Sequence, residues 1–130
     1  MSEIDVPLAL LLRVAFPLPP DELRTNRRMG GHWGPVNDAK QKYGLACRAD
    51  IRAAGLTSPG PGAFPLHIWL IVYLGKGQRA DPSDVGSWMK GAFDCLVTEE
   101  VLPGDSSAAI NPFTVEVRRD WERPRLEIWW

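Results

Sequence analysis

Apolar positions in this chain fall into short continuous runs that alternate with longer stretches at helical spacing. Residues 6–16 form the first run, broken only by Arg13, and Pro17, Pro19 and Pro20 end it because proline has no N–H to give a ladder. The run 64–74, FPLHIWLIVYL, is apolar and β-branched at both parities, which predicts a central strand covered on both sides. Two further strands are expected at about 110–119 and 124–130. Between these runs the period changes. A helix is expected from about Asn37 to Ala54, with Gly55 as its C-cap. Tyr43, Leu45, Cys47, Ile51 and Ala54 make its broad apolar face, and Lys40, Lys42, Arg48 and Arg52 take other faces. A second helix is expected over Pro82–Thr98, with Val85, Trp88, Met89, Ala92, Phe93 and Leu96 as its core stripe.

Glycine and proline punctuate the connections at 21–35, 57–63, 75–80 and 101–107. The order is therefore β-α-β-α-β-β. It predicts an α/β fold, one mixed sheet with helices packed on it, in a single domain over residues 1–130.

Composition narrows the function. A net charge of −1 and a pI of about 6.1 argue against nucleic-acid binding by bulk charge, so any such contact needs a local basic patch. Cys47 and Cys95 fall in predicted helices with no zinc or redox spacing, which predicts buried free thiols in a reducing compartment. The apolar segment 6–12 is too short to span a membrane and lacks signal-peptide flanks, so a cytoplasmic protein is expected, with no membrane partner. Six tryptophans suggest packing or an interface; Trp129 and Trp130, at the end of the last run, could cap the core or meet a second subunit.

The chemistry concentrates between Gln78 and Asp105. Asp81 and Asp84 stand where a loop enters the second helix, and Asp105 stands in the turn after it. Carboxylates from two loops are the hard oxygen donors that a divalent cation takes, and Lys90 beside them suits an anionic substrate. The pattern points to a metal-dependent nuclease. Each residue also has a plainer role. Asp81 can be an N-cap before Pro82, with Asp84 facing the positive helix end. Lys90 can pair with Asp94 one turn on. Asp105 can close the turn after Pro103 and Gly104. Arg24, Asn26, Arg27 and Arg28 share one loop and are candidate phosphate contacts, and Lys76 and Arg79 could extend that patch toward the acids. His32 could serve as a base or pack on Trp33, and His67 reads as a structural histidine inside a strand. Arg118, Arg119, Arg123 and Arg125 are interleaved with acids and read as a solvated strand edge.

Four segments in order resemble the RusA family of Holliday-junction resolvases: FPLPPDELRTNRR, the HWG at 32–34, DPSDVGSWMKGAFDCLV, and VLPGDS followed by a Val-rich strand and RPRLEIWW. The resemblance spans nearly the whole chain. It implies a homodimer that binds four-way DNA junctions and cleaves them with Mg²⁺ (Mn²⁺ being a possible substitute). Carried over by position, Asp81, Lys90 and Asp105 match the family's catalytic groups. The chain departs from the family at the second aspartate, where the gapless match puts Ser83, with Asp84 next to it. On one continuous helix, Lys90 lies close to the face of Ser83, at about 100° per residue. That departure leaves two expectations open, a cutting enzyme and a junction-binding protein that does not cut. A protein-binding module or small enzyme with no DNA role is the more distant alternative.

Overall fold

The computed structural model describes residues 9–20, 23, 33–80, 85, 88–104 and 106–130. Its elements are β1 (Leu12–Phe16), α1 (Trp33–Ala53), a 3₁₀ turn (Pro61–Ala63), β2 (Leu66–Leu74), α2 (Lys90–Thr98), β3 (Ile110–Arg119) and β4 (Arg125–Trp129). The four strands form one sheet in the order β1-β4-β2-β3. β4 runs antiparallel to both its neighbours, and β2 and β3 are parallel, so the sheet is mixed. The expected α/β class and element order are both present.

Alternation in β2 sorts its side chains into two layers. Ile68, Leu70, Val72 and Leu74 join Val14 and Phe16 of β1 and Leu126 and Ile128 of β4 in the main core. α1 adds Tyr43, Cys47 and Ile51, and α2 adds Ala92, Phe93, Cys95 and Leu96. Burying an aliphatic side chain such as Ile51 contributes about 2 kcal/mol. The two helices approach closely where Gly91 faces Tyr43, and a Cβ there would stand 3.3 Å from Tyr43 Cδ2. Tyr43 in turn donates its hydroxyl to the carbonyl oxygen of Pro17, 2.6 Å away, which ties the exit of β1 to α1.

The other face of β2 is covered as well, as its apolar run predicts, and charged side chains take part in covering it. Both helices lie on the first face, yet Ile71 is 0% exposed and Tyr73 is also buried. The Arg125 guanidinium carbon lies 3.9 Å from the Tyr73 ring centroid. Arg125 also pairs with Glu127 and Asp120, each at 2.8 Å, and Arg118 pairs with Glu116 at 2.8 Å. His67 stacks on Trp69 and shares a hydrogen bond with Thr114, as a structural histidine would. Trp129 Nε1–H donates to Glu127 on this face, whereas Trp130 is buried in the core cluster and caps it.

Several boundaries differ. β1 begins at Leu12, not at residue 6; residues 9–11 are not strand and residues 1–8 lie outside the described residues. β1 pairs only with β4, whose five residues limit its length. Arg13 marks a register shift between Leu12 and Val14 and donates to the Trp130 carbonyl at 2.8 Å. α1 begins at Trp33, so Gly34 and Pro35 belong to its first turn, where the missing proline N–H costs nothing. Its buried stripe is Ala39, Tyr43, Cys47 and Ile51, while Leu45 is 66% exposed and Ala54 is also exposed.

Candidate active site and basic loops

The residues expected to hold a metal, Asp81, Asp84 and Asp105, lie outside the described residues, as does Ser83. Arg24, Asn26, Arg27, Arg28 and His32 lie outside them too. What is described is the scaffold on either side of the acids. Ala80, just before Asp81, packs against the core cluster. Val85, shortly after Asp84, is fully buried, and Trp88 and Met89 are buried too.

The expected single helix over Pro82–Thr98 is interrupted. Val85 and Trp88 are helical, Met89 lies in a turn, and α2 runs from Lys90. Met89 has ψ of −7°, away from the helical value near −42°, while its carbonyl still accepts from Phe93 N–H at 2.8 Å. Ser83 lies outside the described residues, so the face it was expected to share with Lys90 does too. The expected core stripe survives the interruption, since Val85, Trp88, Met89, Ala92, Phe93 and Leu96 are all buried. Lys90, at the start of α2, has its side chain 74% exposed and its ammonium 3.9 Å from Asp94 Oδ1. The plain ion pair is thus present, but in water it holds the lysine only weakly, at about 0.3–0.5 kcal/mol.

The far end of α2 turns the chain back. Val101 N–H bonds to Leu96 O at 2.9 Å and Glu100 N–H to Val97 O at 3.0 Å. Glu100 sits at φ 61°, so this is a Schellman turn with a glutamate in the left-handed position. Val101 and Leu102 are buried beneath it, and the turn expected over 101–107 continues to Ser106, whose carbonyl accepts from Ala109 and Ile110 N–H. The described residues before and after position 105 are thus both anchored. Glu99, at the end of α2, accepts from Arg48 at 3.0 Å and Arg52 at 2.8 Å on α1. Arg52 and Arg48 hold its carboxyl below the usual carboxylate range.

The thiols are placed as expected. Cys47 and Cys95 are both free and buried. Burial pushes the Cys47 thiol up to about 12 and raises that of Cys95, so neither is poised as a nucleophile. Cys95 donates to Gly44 O at 3.4 Å.

Of the basic residues, Lys76 and Arg79 are exposed on the loop leaving β2. The arginines read as a solvated edge divide into distinct roles. Arg119 Nη1 donates to Gln78 O at 2.9 Å and Gly75 O at 3.3 Å, so it fastens that loop to the end of β3. Arg125 is not at an edge; it lies on an interior strand with its side chain only 20% exposed. It also draws the Asp120 carboxyl down from its ordinary value, mainly through their hydrogen bond. Arg123 is exposed. Sequence reasoning missed Trp121, which stands beside Lys76 with its ring centroid 5.9 Å from the ammonium. Only the sheet order brings the β3–β4 turn to the 75–78 loop; the signal was a tryptophan set among charges in RRDWERPR.

Among the described residues no group of three or more His, Cys, Asp or Glu is arranged to hold a metal ion. Grooves of about 660 and 580 Å³ flank the connector after α1, and no predicted site residue lines either. No described helix is long and apolar enough to cross a membrane. No protein-family model matches the chain, and no curated protein matches it.

Proposed function

We propose that this protein is a structure-selective endodeoxyribonuclease that hydrolyses phosphodiester bonds in Holliday junctions and other branched DNA, with Mg²⁺ as cofactor, in recombination and repair. The observation that carries the reading is the placement of Lys90. It heads α2 with its ammonium in water, a few residues after the acidic stretch that contains Asp81 and Asp84. The order of the four sequence segments supports it further.

The donor set suits the cofactor, since a site made of carboxylates alone is hard and anionic. Asp81 and Asp105, joined by Asp84, would hold the cation. When bound, it supplies Lewis-acid polarisation of the scissile phosphate. Lys90 adds positive charge where the phosphoryl oxygens gain negative charge. Arg24, Asn26, Arg27 and Arg28 grip the backbone, with Lys76 and Arg79 on the side of the acidic entry. A homodimer would set two such sites on opposite strands of one junction.

Ser83 favours a second reading, a junction-binding protein that has lost a carboxylate and does not cut. A synthetic four-way junction separates the two. Mg²⁺-dependent nicking by the unaltered chain supports the enzyme. Tight binding without nicking, with nicking gained in Ser83→Asp, supports the binder. Absence of any binding to branched DNA at low salt removes both.

A further inference from the structure

The end of the sheet where β2 and β3 finish carries an aromatic side chain that the acidic site does not use. Trp121 is 65% exposed, while Trp88 and Trp130 are buried. Its backbone is nevertheless held. Asp120 Oδ1 accepts from the Glu122 and Arg123 N–H groups, each at 3.2 Å, and Asp120 Oδ2 pairs with Arg125 at 2.8 Å. The turn is locked to the 75–78 loop by Arg119 and by close packing at Gly75, where a Cβ would stand 2.8 Å from Pro124 Cγ. The two loops therefore form one rigid support, from which the indole projects into water.

The neighbours of that indole are charged. The Lys76 ammonium lies over its ring, 5.9 Å from the centroid, and Arg79, Arg123 and Glu122 are exposed on the same two loops. Asp120 is committed to Arg125. A protein hot spot would surround such a tryptophan with groups that exclude water, and the charged residues here do not. An aromatic face flanked by cations is instead the arrangement that takes a base by stacking and its phosphate by charge.

We propose that Trp121 and Lys76 form a stacking platform for an unpaired nucleotide. The indole takes the face of an unstacked base, and Lys76 takes the adjoining phosphate. The inference rests on the DNA reading above and deepens it, because branched DNA exposes bases that continuous duplex hides. The loop leaving β2 continues from Lys76 directly to Asp81, so a strand held here lies next in sequence to the acidic entry.

The test uses the full chain in EDTA at low salt, with fluorescence anisotropy of a labelled thymidine oligonucleotide and of a blunt duplex of equal length. The wild type is expected to prefer the single strand. Trp121→Ala should weaken single-strand binding about tenfold and leave duplex binding unchanged. Trp121→Phe should keep most of the affinity, and Lys76→Gln should flatten the salt dependence. An unchanged melting temperature shows that each variant folds. The proposal is overturned by a wild type that does not bind the single strand. It is also overturned by a Trp121→Ala protein that binds like wild type, as it would if the indole serves a protein partner, or that loses duplex binding equally. Junction nicking with Mg²⁺, measured in parallel, keeps the two ideas apart. Nicking with no Trp121 effect removes only the platform, and single-strand binding through Trp121 with no nicking removes only the nuclease.

Discussion

Arg119 reaches from the end of β3 to the carbonyl oxygen of Gln78, 2.9 Å away, and so fixes the loop that leads into the acidic segment. Arg119→Ala removes both carbonyl contacts of that guanidinium. Hydrogen exchange in residues 75–80 should speed up, while the core strands stay protected. Binding to branched DNA should weaken severalfold without a change in fold. Unchanged exchange in that loop would show that the contact does not hold it.

Lys90 separates structure from chemistry. Its pair with Asp94 is solvated, so Lys90→Ala should cost no more than about 0.5 kcal/mol of stability by denaturant titration. If the ammonium stabilises the phosphoryl transition state, nicking should fall by about 10²-fold or more, with DNA affinity little altered. A fall in affinity that matches the fall in rate would instead make the lysine a simple phosphate contact.

Glu100 occupies a left-handed position at φ 61° that glycine takes at less cost. Glu100→Gly should raise stability by roughly 0.5–1 kcal/mol, read as a higher denaturant midpoint with an unchanged slope. A loss of stability would mean that the glutamate side chain contributes more than its backbone strain costs.

These positions also mark how far the sequence could be read. β2 was legible because its residues are apolar at both parities, β-branched, and bounded by glycine and proline, a combination that reads as an interior strand. The layer that closes its second face was not legible. Arg125 over Tyr73, and Glu127 between Arg125 and Trp129, depend on β4 being inserted next to β2, and no local pattern in RPRLEIWW specifies that neighbour. In α1, Leu45 misled because it is the most hydrophobic residue of its turn. The face that packs is set instead by the four-residue spacing of Ala39, Tyr43, Cys47 and Ile51. The stripe of the second helix was correct in every residue, yet its continuity was not, because burial of Trp88 and Met89 is compatible with a turn at Met89. Of the candidate site, the exposure of Lys90, Lys76 and Arg79 is described, and the acids themselves lie outside the described residues.

Glu99 gives the stability a pH dependence. Arg52 and Arg48 lower its folded pKa below the unfolded value. Its contribution is therefore fully present above the ordinary glutamate range, near about pH 4.3, and is lost as pH falls through the lower folded value. Glu99→Gln should be less stable than wild type at pH 7, and the gap should close toward pH 3. A gap that stays constant with pH would assign the effect to packing rather than charge.

The account turns on Asp81 and Asp105 serving one divalent cation. The most direct measurement is nicking of a synthetic four-way junction with Mg²⁺ or with EDTA, by the wild type and by Asp81→Asn and Asp105→Asn. The account predicts paired nicks on opposite strands with Mg²⁺, none with EDTA, and a loss of about 10²-fold or more in each variant that retains its fold. Wild-type protein that leaves the junction intact in Mg²⁺ and Mn²⁺, or variants that cut as fast as wild type, would contradict it.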